Sequence, residues 1–133
     1  MKVSASETLR LYCLKQQSFQ PIINVLVQPS VGPNGMPRFE IRSEQRTLST
    51  AGVIWRSPDF AEIYVSTVPE ARGRGWGRAV VAALANELMG SGIQPLYVTA
   101  ENNQRSIRVA EAVGFTDTGT SIYSGSVTLQ ATN

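Results

Sequence analysis

The chain has 133 residues, 42% hydrophobic and 17% charged, which suits one globular domain with a sizeable core. It holds no histidine and a single cysteine, Cys13; this excludes Ser-His and Cys-His catalysis and an intrachain disulfide framework, and argues against a zinc or iron site. The net charge of +2 is too small to argue for nucleic acid, and no apolar run approaches the ~18 residues of a membrane span.

In chain order, Ser6 to Lys15 predicts a helix with Leu9, Leu11, Tyr12 and Leu14 apolar, although its face is poorly defined. Cys13 within it reads as a small buried hydrophobe. Pro21 to Val27 is rich in β-branched residues and predicts a strand, and Pro29 to Pro37 predicts a turn-rich loop. Arg38 to Arg42 and Ala51 to Arg56 predict two strands in an antiparallel meander with Ala61 to Val68. A helix from Gly77 to Met89 buries Val80, Val81, Leu84 and Leu88 and ends at Gly90. Pro95 to Ala100 predicts a parallel partner strand, reached by a right-handed crossover. Asn103 suits the N-cap of a helix that ends before Gly114. Phe115 to Thr118 and Ser121 to Leu129 predict a closing strand pair around Gly119. The expected fold is a mixed α/β domain over residues 1–133, with antiparallel N-terminal strands followed by β-α-β-α-β.

The richest signal lies between Ala61 and Arg78. Ile63, Val65 and Thr67 alternate with Glu62, Tyr64 and Ser66, and Pro69 ends the strand because it has no N–H to donate. Arg72, Gly73, Arg74, Gly75, Trp76, Gly77 and Arg78 then lead directly into a helix. Glycines there let backbone N–H groups point at a ligand, where the helix dipole and the arginines favour an anion. This arrangement predicts a diphosphate cradle.

Other phosphate motifs fit less well. The lysine-bearing P-loop is absent. The dinucleotide pattern G-x-G-x-x-G fails from Gly73, where the last position is Arg78, and from Gly75, where it is Val80. Glu101, where a ribose-binding acid would sit, keeps that alternative open. An RNA-binding role for the Arg-Gly run is opposed by its confinement between a strand and a helix. Arg105 and Arg108 read as the exposed face of a short helix.

The spacing Arg72-x-x-Gly75-x-Gly77 resembles the R/Q-x-x-G-x-G/A signature of the GNAT superfamily of acyl-CoA-dependent N-acetyltransferases. Asn103-Gln-Arg-Ser-Ile-Arg-Val-Ala-Glu-Ala-Val-Gly-Phe115 resembles that superfamily's N-x-x-[AS]-I segment, and the likeness covers about residues 50 to 125. It implies acetyl-CoA as co-substrate, with no metal, and an amine-bearing acceptor, small molecule or protein. It also implies cytoplasmic work away from nucleic acid and membranes. The coenzyme's pantetheine arm would lie along Val65, Ser66 and Thr67, its diphosphate would meet Arg72 to Arg78, and Asn103 and Ser106 would contact the arm. A backbone N–H on the splayed strand would polarise the thioester carbonyl.

Acid–base chemistry is less legible. Glu62 is the expected general base, with Tyr64 on the same face, although Glu62 stands one residue off the register of the histone-acetylating branch. Many relatives carry a proton-donating tyrosine seven residues after the motif asparagine; here that position is Ala110. The acid is then Tyr123, Tyr97, water or nothing at all, since a thiolate is a tolerable leaving group; alternatively the chain is a catalytically silent acyl-CoA-binding module. The first 49 residues carry no signature. An open acceptor face there suits a bulky acceptor, and equally a homodimer that completes the site.

Overall fold

The structure, a computed structural model, describes residues 7–124. Its frame is a seven-stranded mixed sheet of order β2-β3-β4-β5-β6-β1-β7. The strands are β1 (Glu7–Cys13), β2 (Gln28–Val31), β3 (Pro37–Ser43), β4 (Arg46–Arg56), β5 (Phe60–Thr67), β6 (Gln94–Ala100) and β7 (Thr116–Ser124). Helix α1 (Trp76–Gly90) joins β5 to β6, which pair in parallel, and α2 (Gln104–Val113) joins β6 to β7. All the other pairings are antiparallel.

Both helices pack on one face of the sheet. Ile41, Ala51, Val53, Ile63 and Tyr97 meet Val80, Val81, Leu84 and Leu88 of α1 and Ala110 and Val113 of α2 in one buried cluster. The predicted apolar stripe of α1 is thus the buried one. The helix runs one residue further than expected, through Gly90, and the left-handed glycine beyond it is Gly92, at φ 78°. Asn103 caps α2 by accepting from the Ser106 backbone N–H at 3.2 Å, and Gly114 terminates it at φ 108°.

Three sequence-based expectations are overturned. The N-terminal segment is the strand β1, not a helix, inserted between β6 and β7. Tyr12 and Leu14 face the helices while Leu11 shares the opposite face with Val98, so both faces are apolar. That pattern is what blurred the helical reading. Residues 21–27 form no strand: Ile23 and Val25 are 90% and 94% exposed, and pairing begins at Gln28 and runs through Val31, into the segment expected to be a loop from Pro29. The closing hairpin is replaced by a single continuous β7, bent at Gly119 (φ 84°), with β1 supplying its partner. The expected strand beyond Ser124 lies outside the described residues.

Candidate functional site

β5 and β6 pair only from Phe60 opposite Gln94 to Ile63 opposite Tyr97. β5 continues to Thr67 and β6 to Ala100, so the two strands separate beyond Ile63. The edge of Tyr64 to Thr67 facing β6 is therefore unpaired with that strand, and an extended ligand backbone can use it as a strand would.

The splay leads to the Arg/Gly loop. Pro69–Ala71 makes one 3₁₀ turn, Gly73 and Gly75 adopt φ 83° and 77°, and α1 begins at Trp76. Gly75 is the N-cap and has no side chain with which to bond the helix's first N–H groups, so these stay free for a ligand. A Cβ added at Gly73 or Gly75 would meet no protein atom within 4 Å: these glycines border open space.

That space is a groove of about 380 Å³ whose walls include Arg72, Gly75, Trp76 and Arg78 on one side and Arg105 and Arg108 of α2 on the other. It runs into a recess of about 250 Å³ bounded by Val65, Ser66, Thr67, Gly77, Asn103 and Ser106. Thr67, Arg72, Gly77, Arg105 and Val109 line both. Gly77 separates β5 from α2 closely, since a Cβ there would lie 3.4 Å from Thr67 Oγ1.

Among the described residues the ion pairs are Arg10–Asp117, Arg38–Glu40, Arg42–Glu40 and Arg46–Glu70. None involves an arginine of the groove. Four guanidiniums around one groove without carboxylate partners repel one another and stand ready for an anion. Arg105 and Arg108 thus face the groove rather than bulk solvent alone. A spacing of three after the Asn103 cap places them on one side of α2, and that spacing was the available signal. Arg74 is not part of the groove wall. Its guanidinium stacks on the Trp76 ring, 5.0 Å from the centroid.

Behind Ser106 stands Tyr97, 2% exposed, its hydroxyl 2.7 Å from Ser106 Oγ and donating to the Ser106 carbonyl at 3.1 Å. Burial pushes the Tyr97 hydroxyl above its ordinary value, and the bond to Ser106 partly offsets this. Tyr97 therefore reaches the recess only through Ser106. Ala110 is wholly buried in the core, so nothing at that position faces the groove. Tyr123 lies on β7 opposite Thr8, with β1 and β6 between it and the splay, and its side chain is outside the described residues.

Glu62 and Tyr64 lie on the face away from the helices. A register shift between Val53 and Trp55 brings Trp55 opposite Glu62, and the indole Nε1 donates to Glu62 Oε1 at 2.7 Å. Glu62 is thus an oriented carboxylate two residues before the splay, and composition offered no sign of its indole partner. Among the described residues no three His, Cys, Asp or Glu side chains gather into a metal-binding group, and no helix is long and apolar enough to cross a membrane.

The FR47-like protein family matches residues 41–124, a span that holds the splay, the Arg/Gly loop, both helices and β7. No curated protein matches the chain. Among solved structures, a GNAT-family protein from Novosphingobium aromaticivorans superposes with a TM-score of 0.79 at 18% identity, covering 92% of this chain and 64% of that one. A GCN5-related N-acetyltransferase-like protein from Streptococcus suis gives 0.70 at 15% identity, covering 91% and 62%. A GNAT-family acetyltransferase from Colwellia psychrerythraea gives 0.68 at 13%, covering 84% and 53%. The chain therefore spans less than two thirds of the length of each, and at such identities the likeness concerns the fold. With the family match over most of the chain, the conclusion is that this protein belongs to the FR47-like family of the GNAT superfamily and has its mixed α/β fold.

Proposed function

We propose that this protein binds acetyl-CoA in the groove between α1 and α2 and transfers the acetyl group to a primary amine. The observation that carries this reading is the unpaired arginine groove that runs directly into the β5/β6 splay. The residues present fit the coenzyme: the left-handed Gly73 and Gly75 border open space, and four arginines match a diphosphate with a further phosphate. Arg72, Arg78 and the first N–H groups of α1 would hold the diphosphate, Arg105 and Arg108 the remaining phosphate, and Thr67, Asn103 and Ser106 the arm.

The bound coenzyme supplies an acetyl group activated as a thioester. The chain's own part is positioning and proton management. The amine nitrogen bonds to the acyl carbon as the C–S bond breaks, the sulfur leaves as a thiolate that takes a proton from water, and the amine proton passes to Glu62, directly or through water. An amine of pKa ~10.4 needs such a base at neutral pH.

Ala110 favours a second reading, an acyl-CoA-binding module without turnover, because no tyrosine faces the groove at that position. Thermal melts with acetyl-CoA against NADH and ATP test the binding site, and thiol release from acetyl-CoA in the presence of amines separates the two readings. Stabilisation by acetyl-CoA together with amine-dependent thiol release supports the transferase. Stabilisation without release supports the silent module, and no stabilisation by acetyl-CoA overturns both.

A further inference from the structure

The face of the sheet away from the helices carries a second pocket, separate from the coenzyme groove. It measures about 300 Å³ and is bounded by Pro33, Asn34, Arg38, Gly52 and Tyr64, among others. Its floor exists because residue 52 is glycine. A Cβ there would fall 2.6 Å from Tyr64 Oη and 2.8 Å from the ring carbons Cε2 and Cζ, so the Tyr64 ring lies across the β4 backbone. Tyr64 is also the first residue of β5 beyond the pairing with β6. Its backbone thus stands at the opening of the splay while its hydroxyl lies over β4, towards β3. Asn34 fixes the opposite rim by donating from Nδ2 to the Val53 carbonyl at 3.0 Å.

Across β4, Arg38 is the cross-strand partner of Gly52. Its guanidinium is not saturated by the protein: Nη2 reaches Ser30 Oγ only at 3.5 Å and Glu40 Oε1 only at 3.7 Å, and Nε is buried with no protein partner. Glu40, 6% exposed, sits between Arg38 and Arg42, the latter 3.8 Å from its Oε2. Glu40 Oε1 and Thr50 Oγ1 also lack a hydrogen-bond partner in the protein. Two guanidiniums face one carboxylate at loose distances, which leaves excess positive charge beside the pocket. Buried polar atoms without partners are rare in native proteins and are completed by ordered water, an ion or a ligand, or serve as a reserve of strain.

The charges on this face are ordered. Glu62, oriented by Trp55, is negative on β5, whereas Arg38 is positive on β3, with Tyr64 and Gly52 between them. Two strand spacings separate β5 from β3, roughly 10 Å, and Glu62 stands two residues along β5 from the Arg38/Gly52/Tyr64 row, so the two positions are about 12 Å apart. The geometry points to an acceptor that is itself a zwitterion: an amino acid whose reacting amine lies beside Glu62 at the splay and whose carboxylate lies in the Arg38/Tyr64 pocket. This deepens, and rests on, the acetyltransferase reading. The spacing favours an amine and a carboxylate several bonds apart over a simple α-amino acid, and the guanidinium and phenol supply donors for the carboxylate.

The test compares acetylation of glycine, γ-aminobutyrate and ε-aminocaproate with that of their carboxamides, which keep the amine and lose the negative charge. The expected result is a kcat/KM preference for the longer carboxylates over their amides of about 10- to 100-fold, the range of a charge-assisted contact. Arg38→Met collapses that ratio toward one, and Arg38→Lys restores part of it. The stabilisation of each variant by acetyl-CoA is measured alongside, because Arg38 lies outside the coenzyme groove. Equal rates for acids and amides, a preference that survives Arg38→Met, or acetylation of neither series despite a retained acetyl-CoA shift each overturn the zwitterion subsite and leave the coenzyme site standing. Absence of any acetyl-CoA shift in the wild-type protein overturns the underlying reading as well.

Discussion

Gly75→Val tests the coenzyme groove most directly. Gly75 sits at φ 77° as the N-cap of α1, and a side chain there would project into open space rather than into the protein. A β-branched residue held in that left-handed conformation costs about 1–3 kcal/mol. Unfolding entropy of about 2.1 cal/mol/K per residue gives about 0.28 kcal/mol/K for 133 residues, so the melting temperature falls by about 4–11 °C and the fold survives. Acetyl-CoA at 100 times its Kd stabilises the wild-type protein by about 2.7 kcal/mol, a rise of about 10 °C. The valine would occupy the phosphate's place and displace it from the helix N-terminus. If affinity falls about 100-fold, the same ligand concentration equals the new Kd, and the rise shrinks to about 0.4 kcal/mol, or 1–2 °C. The assay is a pair of melts for each protein, with and without acetyl-CoA. A shift of wild-type size in the variant refutes the cradle, since a phosphate seated there cannot share the space with an isopropyl group.

Further expectations follow from the same geometry. Arg105→Ser combined with Arg108→Ser weakens acetyl-CoA binding about 10-fold by titration calorimetry, modest because both side chains are exposed; unchanged affinity would show them to be only a solvated helix face. Glu62→Gln lowers kcat by about 10²–10⁴ with acetyl-CoA affinity intact. Wild-type rates from pH 6 to pH 9 would remove Glu62 from the chemistry. Gly114→Ala is a stability probe. Its Cβ would lie 2.0 Å from the Ser18 carbonyl oxygen at φ 108°, a backbone clash expected to cost more than about 3 kcal/mol and roughly 10 °C in the melting temperature. A melt within a degree or two of wild type would mean that the segment around Ser18 does not pack on the end of α2.

The second half of the chain was legible because its signals are local. Pro69, the Arg/Gly run, the apolar stripe of α1, and Asn103 with Gly114 around α2 each act through backbone conformation within a few residues, and each stands where that chemistry places it. The Arg/Gly loop was readable for the same reason: its N–H groups and glycines are consecutive. The N-terminal third was not legible, because β1 owes its conformation to two strands about 85 to 115 residues away and is covered differently on its two faces. The β-branched residues 22–27 show the converse: without a partner strand, local propensity made no strand there.

Residue identity alone determined that these 133 residues offer no histidine and that arginine is the cation gathered at the glycine-rich loop before α1. Only the tertiary structure decided that α2 turns Arg105 and Arg108 across the groove from Arg72 and Arg78, and that a shifted register gives Glu62 an indole donor. Strand order likewise set Tyr123 apart from the splay and Arg38 within reach of Tyr64. These are contacts between elements remote in sequence. They depend on sheet order, register and the side of the sheet to which each helix packs, and no local pattern of residues encodes any of the three.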